Sequence, residues 1–176
     1  MWDSNLVERA LFMATKAHMG QMIKYPENIP YSAHFTGVLL NVLNYCNGED
    51  LDWNLVCCCA ILHDTIEDTY ITFDDIASEF GEKVAKGVKA LTKNEEIEYN
   101  KQIEDAVQRI KQEPKEVAIV KMADRLFNLR DRVPNWSDEK QAHYLQDATL
   151  ILNELSHASK NLSEELKNAI EKAKTF

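Results

Sequence analysis

The chain has 176 residues, a length that suits one domain with a real core. Apolar residues make up 45% of it, which excludes a disordered chain. The formal net charge of -9 disfavours non-specific binding to nucleic acid or a membrane, so an anionic substrate would need a local cationic pocket.

The first predicted element runs from about Ser4 to Met19, an amphipathic pattern with acids in it. It lacks a basic start, an apolar signal core and a small-residue cleavage site, and no apolar run approaches membrane-spanning length. Both features point to the cytoplasm. The loop "GQMIKYPENIP" follows with two prolines. Ser32 or Tyr31 opens a helix to about Cys46, and Leu51 or Asp52 opens another to about Asp64. "TFDDIASEF" carries a capping box, Thr72 to Asp75, and stops near Gly81. Glu82 to Leu91 continues as a short helix. The polar stretch "TKNEEIEYN" leads to a helix from about Lys101 to Gln112. Pro114 starts the next, which reaches Leu129, and "RDRVPNW" breaks the chain. Ser137 to about His157 is a long helix, and Ser163 is expected to cap the last one. With no strand alternation, repeat or low-complexity linker, the class is all-α in a single domain, residues 1–176.

There are four cysteines, Cys46 and the run Cys57, Cys58, Cys59. Adjacent helix residues point in different directions, so the run makes a poor metal cage and reads as small buried hydrophobes.

The chemistry concentrates in "ILHDTIEDT", residues 61 to 69. "LVCCCAILHD" is apolar on every side until its end, so this helix should be central in the bundle. His63 and Asp64 then sit at the carboxyl end of a core helix, where a buried carboxylate needs a partner or a cation and the helix dipole favours positive charge. A bound metal would satisfy both. Neighbouring helix residues diverge by about one hundred degrees, which suits adjacent positions around an octahedral ion. Glu67 and Asp68 follow at i+4, if helix persists so far. They could handle water beside the metal, or be a solvated acidic helix end. His34 sits near the start of its helix, as a ligand or a satisfied core histidine. Asp124 lies on the face marked by Val117, Val120 and Phe127, with Lys121 and Asn128 on its stripe. It is a ligand or a member of a buried polar network. Together, His, His-Asp and Asp on three helices supply nitrogen and oxygen donors suited to manganese, iron or zinc.

The order His34, His63-Asp64, Asp124 resembles the metal-binding pattern of the HD superfamily of phosphohydrolases. "KAHMGQ", "PYSAH", "ILHDTIEDT", "FGEKVAKGVKALTK" and "VKMADRLFNLRD" resemble the hydrolase domain of RelA/SpoT homologues, especially the free-standing small alarmone hydrolases. The match spans roughly residues 5 to 150. It implies a helical bundle with one Mn2+ between central helices, bound by His34, His63, Asp64 and Asp124. It also implies removal of pyrophosphate from the 3′ position of guanosine tetra- or pentaphosphate (ppGpp or pppGpp). Glu67 and Asp68 match the family's catalytic acidic pair. Lys24, Lys93, Lys121, Asn128 and Tyr144 fall where it places substrate contacts, although Lys24 and Lys93 read by themselves as ordinary solvated lysines and Tyr144 as a half-buried tyrosine. The family commonly has arginine where this chain has Ile23, and proline where it has Phe35. The loss of that arginine bears on which base is read, because a guanidinium stacks on a purine as isoleucine cannot. A different nucleotide or ester as substrate, or a regulatory module without turnover, are the alternatives.

Overall fold

The computed structural model describes residues 2–23, 28–130 and 136–175. Its elements, in chain order, begin with α1 (Ser4–Ala17), a short antiparallel ribbon of β1 (Met22–Ile23) and β2 (Ile29–Pro30), α2 (Ser32–Tyr45), α3 (Trp53–Leu62) and the single turn α4 (Thr65–Asp68). They continue with α5 (Phe73–Phe80), α6 (Glu82–Leu91), α7 (Gln102–Ile110), α8 (Lys115–Asn128), α9 (Asp138–Leu155) and α10 (Lys160–Ala173), with 3-10 turns at Tyr99–Lys101 and Ser156–Ala158. The class is all-α, as the periodicity predicts.

The centre is α3, buried without interruption from Leu55 to Leu62. Its Asp52 cap accepts the Leu55 N–H at 3.1 Å. Around it pack α1, α2, α6 and α8. Each fully buried leucine, isoleucine or valine here contributes about 1.5–3 kcal/mol relative to exposure. The second internal helix, α8, is buried from Glu116 to Leu126. Two glycines allow the close approaches. A methyl on Gly87 would meet Cys59 Sγ at 2.8 Å, and one on Gly37 would collide with the Phe127 ring.

Polar side chains bind the helices where the core ends. Buried Glu116 accepts the Asp52 N–H at 2.8 Å, joining α8 to the start of α3. Asn41 of α2 donates to the Ala123 carbonyl of α8 at 3.0 Å. Arg109 of α7 spreads its guanidinium over the carbonyls of Lys89, Ala90 and Thr92, satisfying the end of α6 just before Lys93.

The capping box is present in both arms, Asp75 N–H to Thr72 Oγ1 and Thr72 N–H to Asp75 Oδ2. The cysteines are free and buried, and burial pushes the Cys57 and Cys58 thiols up to about 12, which keeps them inert. Three local expectations change. The last helix is capped by Ser159, not Ser163; the Ser163 hydroxyl instead donates back to the Ser159 carbonyl at 2.6 Å. The proline loop contains a two-residue ribbon too short to leave an alternation signal. The central helix ends at Leu62, so Asp64 lies beyond it, at the cap of α4.

Candidate active site

The break between α3 and α4 is built by threonines. Thr65 donates its hydroxyl to the Leu62 carbonyl at 2.7 Å, and Thr69 donates to the Thr65 carbonyl at 2.6 Å. The first bond satisfies the last carbonyl of α3 at the turn, and the second spans α4. The turn aims His63 and Asp64 inward at one point, where His34 of α2 and Asp124 of α8 also arrive.

His34, His63 and Asp124 are buried, and one donor atom from each lies within 4.8 Å of the others. The two Nε2 atoms are 3.0 Å apart. Asp64 Oδ2 lies 3.2 Å from His34 Nε2 and 3.0 Å from His63 Nε2. Asp124 Oδ1 is 3.4 Å and 3.8 Å from the same two atoms. His63 Nδ1 donates to the Ala60 carbonyl at 2.9 Å, which turns Nε2 toward the cluster. Histidines that hold metals are oriented in this way. Asp124 is itself held by Asn128 Nδ2 at 2.7 Å and Lys121 Nζ at 3.4 Å.

The electrostatics show what the cluster needs. Burial pulls the His34 pKa down, but hydrogen bonds and charge from Asp124 and Asp64 outweigh it and push it up to about 9. His63 is likewise raised against its burial, mainly by Asp64. Burial opposes ionisation of Asp64 and Asp124, yet both are held well below the usual carboxylate range. His63 and His34 do this for Asp64, and Lys121 with the two histidines for Asp124. The carboxylates thus draw protons onto the imidazoles. A divalent cation supplies the same compensation through donors of the right kind, two nitrogens and two carboxylates. The residues fit a metal, and buried Asp124 beside half-buried Asp64 gives a reason for one.

One turn beyond, Glu67 lies against Lys93, with Lys93 Nζ 2.5 Å from Oε1 and the Lys93 N–H donating to Oε2 at 2.8 Å. The Asp68 pKa is raised by burial and by the charges of Asp64 and Glu67. Glu67 and Lys93 line a cavity of about 540 Å³ together with Arg125, Trp136, Lys140, Tyr144 and the acids Glu95 and Asp147. Burial pushes the Tyr144 hydroxyl up to about 12. The Arg125 guanidinium lies 4.0 Å above the Tyr144 ring, and Trp136 meets the same ring edge-on at 5.1 Å. Arg125 is only 4% exposed, and its Nε has no hydrogen-bond partner among the described residues.

Of the residues expected at the site, the structure brings together His34, His63, Asp64, Asp124, Lys121 and Asn128, and beside them Glu67, Asp68, Lys93 and Tyr144. Lys24 lies outside the described residues. Trp136 and Lys140 were not anticipated as lining residues, and Arg125 was read only as part of the Asp124 helix motif. Arg125 shares the helix of Asp124 and could have been found there, whereas nothing local marks Trp136 or Lys140. Tyr31, whose hydroxyl donates to Asp64 Oδ2 at 2.5 Å, was read only as a helix start.

Comparison with known proteins agrees with this fold. The profile of the HD domain matches residues 10–160. The chain belongs to the HD-domain family. Within it, the chain is 32% identical over 175 residues to the mouse protein named guanosine-3′,5′-bis(diphosphate) 3′-pyrophosphohydrolase MESH1, covering 96% of this chain and 94% of that one. The human protein of the same name is 31% identical, covering 94% and 92%. An Aquifex aeolicus guanosine-3′,5′-bis(diphosphate) 3′-pyrophosphohydrolase is 30% identical over 86% of this chain and 21% of its own length. Among solved structures, one described as a metazoan orthologue of SpoT that hydrolyses ppGpp superposes with a TM-score of 0.85 at 25% identity, covering 98% of this chain and 97% of that one. No helix of this HD-domain protein, among the described residues, is long and apolar enough to cross a membrane.

Proposed function

We propose that this HD-domain chain, as one unit over residues 1–176, is a Mn2+-dependent hydrolase that removes pyrophosphate from the 3′ position of guanosine tetra- or pentaphosphate in the cytoplasm. The observation that carries the reading is the convergence of His34, His63, Asp64 and Asp124 one turn from Glu67, which lines a neighbouring cavity with Lys93, Arg125 and Lys140. The near full-length likeness to proteins named for that activity supports the substrate.

The two histidines and two aspartates would hold the ion, which when bound supplies an acidified water and neutralises phosphoryl oxygens. Glu67, with Asp68, orients the attacking water and takes its proton. The oxygen of that water bonds to the phosphorus on the 3′ oxygen, the phosphorus–O3′ bond breaks, and O3′ ends protonated. Lys24, Lys93 and Tyr144 meet the substrate, and Lys93 also holds Glu67 in place. Arg125 and Lys140 set positive charge beside the phosphates in a chain that is acidic on average. Lys121 and Asn128 hold Asp124 and border the substrate.

A second reading keeps the chemistry and changes the base. Ile23 pairs with Ile29 in the ribbon, presenting an aliphatic side chain where a guanidinium could stack on a purine. The deciding experiment is turnover with Mn2+ against a panel of 3′-phosphorylated nucleotides. Pyrophosphate release from guanosine tetraphosphate supports the first reading, and release only from other bases the second. Binding without release on every substrate would overturn both in favour of a regulatory module.

A further inference from the structure

The motifs "KAHMGQ" and "PYSAH" contribute only His34 to the chemistry above, yet their other polar side chains run straight to it. Tyr31 donates its hydroxyl to Asp64 Oδ2, the oxygen that also faces both imidazoles. The Tyr31 ring is stacked on His18, with centroids 4.5 Å apart and planes 21° apart, and its other neighbour is the His34 ring at 5.2 Å. The Tyr31 N–H donates to the Gln21 carbonyl at 3.0 Å. His18 Nδ1 donates to Gln21 Oε1 at 2.7 Å, which leaves the Gln21 amide Nε2 to donate to the Asp68 carbonyl at 2.8 Å. The contacts form one connected path, from Asp64 through Tyr31, His18 and Gln21 to Asp68.

We infer that His18, Gln21 and Tyr31 are positioning residues, a brace that sets Asp64 toward the ion and α4 toward the water. The brace rests on the metal-site reading given above. Both ends need it. Asp64 lies past the end of α3, where no helix fixes its carboxylate. The single turn α4 is too short to hold itself in water, and its last carbonyl is the one Gln21 caps. Partners of this kind, behind the groups that touch a metal, change affinity or activity by roughly 10–100-fold when removed.

The two arms predict different losses. Tyr31→Phe keeps the ring and its stacking and removes only the hydroxyl. Its Kd for Mn2+, titrated through the electron paramagnetic resonance signal of the free ion, should rise on the order of 10–100-fold. Gln21→Leu does not touch the cluster. It should bind Mn2+ within about twofold of the parent, yet lose roughly tenfold or more in kcat at saturating Mn2+ with KM little changed, because α4 loses its tether. Tyr31→Leu, which removes the ring as well, should be worse than Tyr31→Phe in metal affinity. Unchanged Mn2+ affinity in Tyr31→Phe, or equal loss of metal and turnover in Gln21→Leu, would overturn the brace. An unaltered chain that fails to bind Mn2+ strikes the metal reading itself, and the brace as a device for positioning Asp64 falls with it.

Discussion

Lys93 holds Glu67 with both its backbone and its side chain: the N–H donates to Oε2 at 2.8 Å and Nζ lies 2.5 Å from Oε1. Burial opposes the charge on Lys93, but Glu67 outweighs it and raises the lysine pKa, so the lysine stays charged near neutral pH. A carboxylate held by a lysine has a fixed direction in which to accept a proton. Glu67→Gln should therefore lower kcat on the order of 10²-fold or more, with Mn2+ still bound at about one ion per chain. Loss of metal together with turnover would move Glu67 into the ion's own shell.

Lys93→Met tests the same contact from the other side. The backbone N–H to Glu67 survives, while the charge does not. Turnover should fall and KM should rise, since the lysine serves both the carboxylate and the phosphates. Steady-state kinetics on guanosine tetraphosphate decide it, and an unchanged KM would confine Lys93 to holding Glu67.

The ligand assignment predicts thermal behaviour. An ion at a hundredfold excess over its Kd stabilises the folded chain by about 2.7 kcal/mol. For a chain of this size that is a rise in Tm of roughly 5–10 °C. His63→Ala and Asp124→Ala should lose the rise, measured by calorimetry with and without Mn2+. A full rise in both variants would remove these residues from the metal site.

Protons and metal compete at His34. Its pKa in the metal-free fold is about 9, raised above the ordinary 6.5. A raised folded pKa contributes stability that is complete below about 6.5 and is lost as pH rises through about 9. The depressed carboxyls of Asp64 and Asp124 contribute stability that is present above about 4 and lost as pH falls. The metal-free chain should thus be most stable between about pH 4 and 6.5 as far as this cluster decides. Metal binding needs a neutral imidazole, so Mn2+ affinity should climb between pH 6 and 8.5 with release of protons. Isothermal titration in buffers of different ionisation enthalpy measures that release, and a flat affinity across the range would contradict the assignment.

Two glycine substitutions separate packing from the site. Gly37→Ala presses on Phe127, whose ring meets His34 edge-on at 4.9 Å. Gly87→Ala presses on Cys59 and Val117, away from the cluster. Each should cost about 1–3 kcal/mol by overpacking, read by urea denaturation. Only Gly37→Ala should also weaken Mn2+ binding; equal weakening in both would show that the effect is general loosening.

Helix class and the central place of α3 were legible in the sequence because they depend on local periodicity and on an unbroken apolar run from Leu55 to Leu62. The candidate ligands were legible as titratable groups on apolar faces, and the ordered motifs added the family. What lay beyond sequence was which polar groups meet. Tyr31 reaches Asp64 across 33 positions and Gln21 reaches Asp68 across 47. Lys93 closes on Glu67 across 26. Such pairs depend on how α1, α2, α4 and α6 pack around α3, and no periodicity encodes a contact between helices. The sequence by itself determined that His63 and Asp64 follow directly on a buried apolar run. Only the tertiary structure decided that the helix breaks between Leu62 and Thr65, which turns Asp64 back toward both imidazoles and places it within reach of Tyr31.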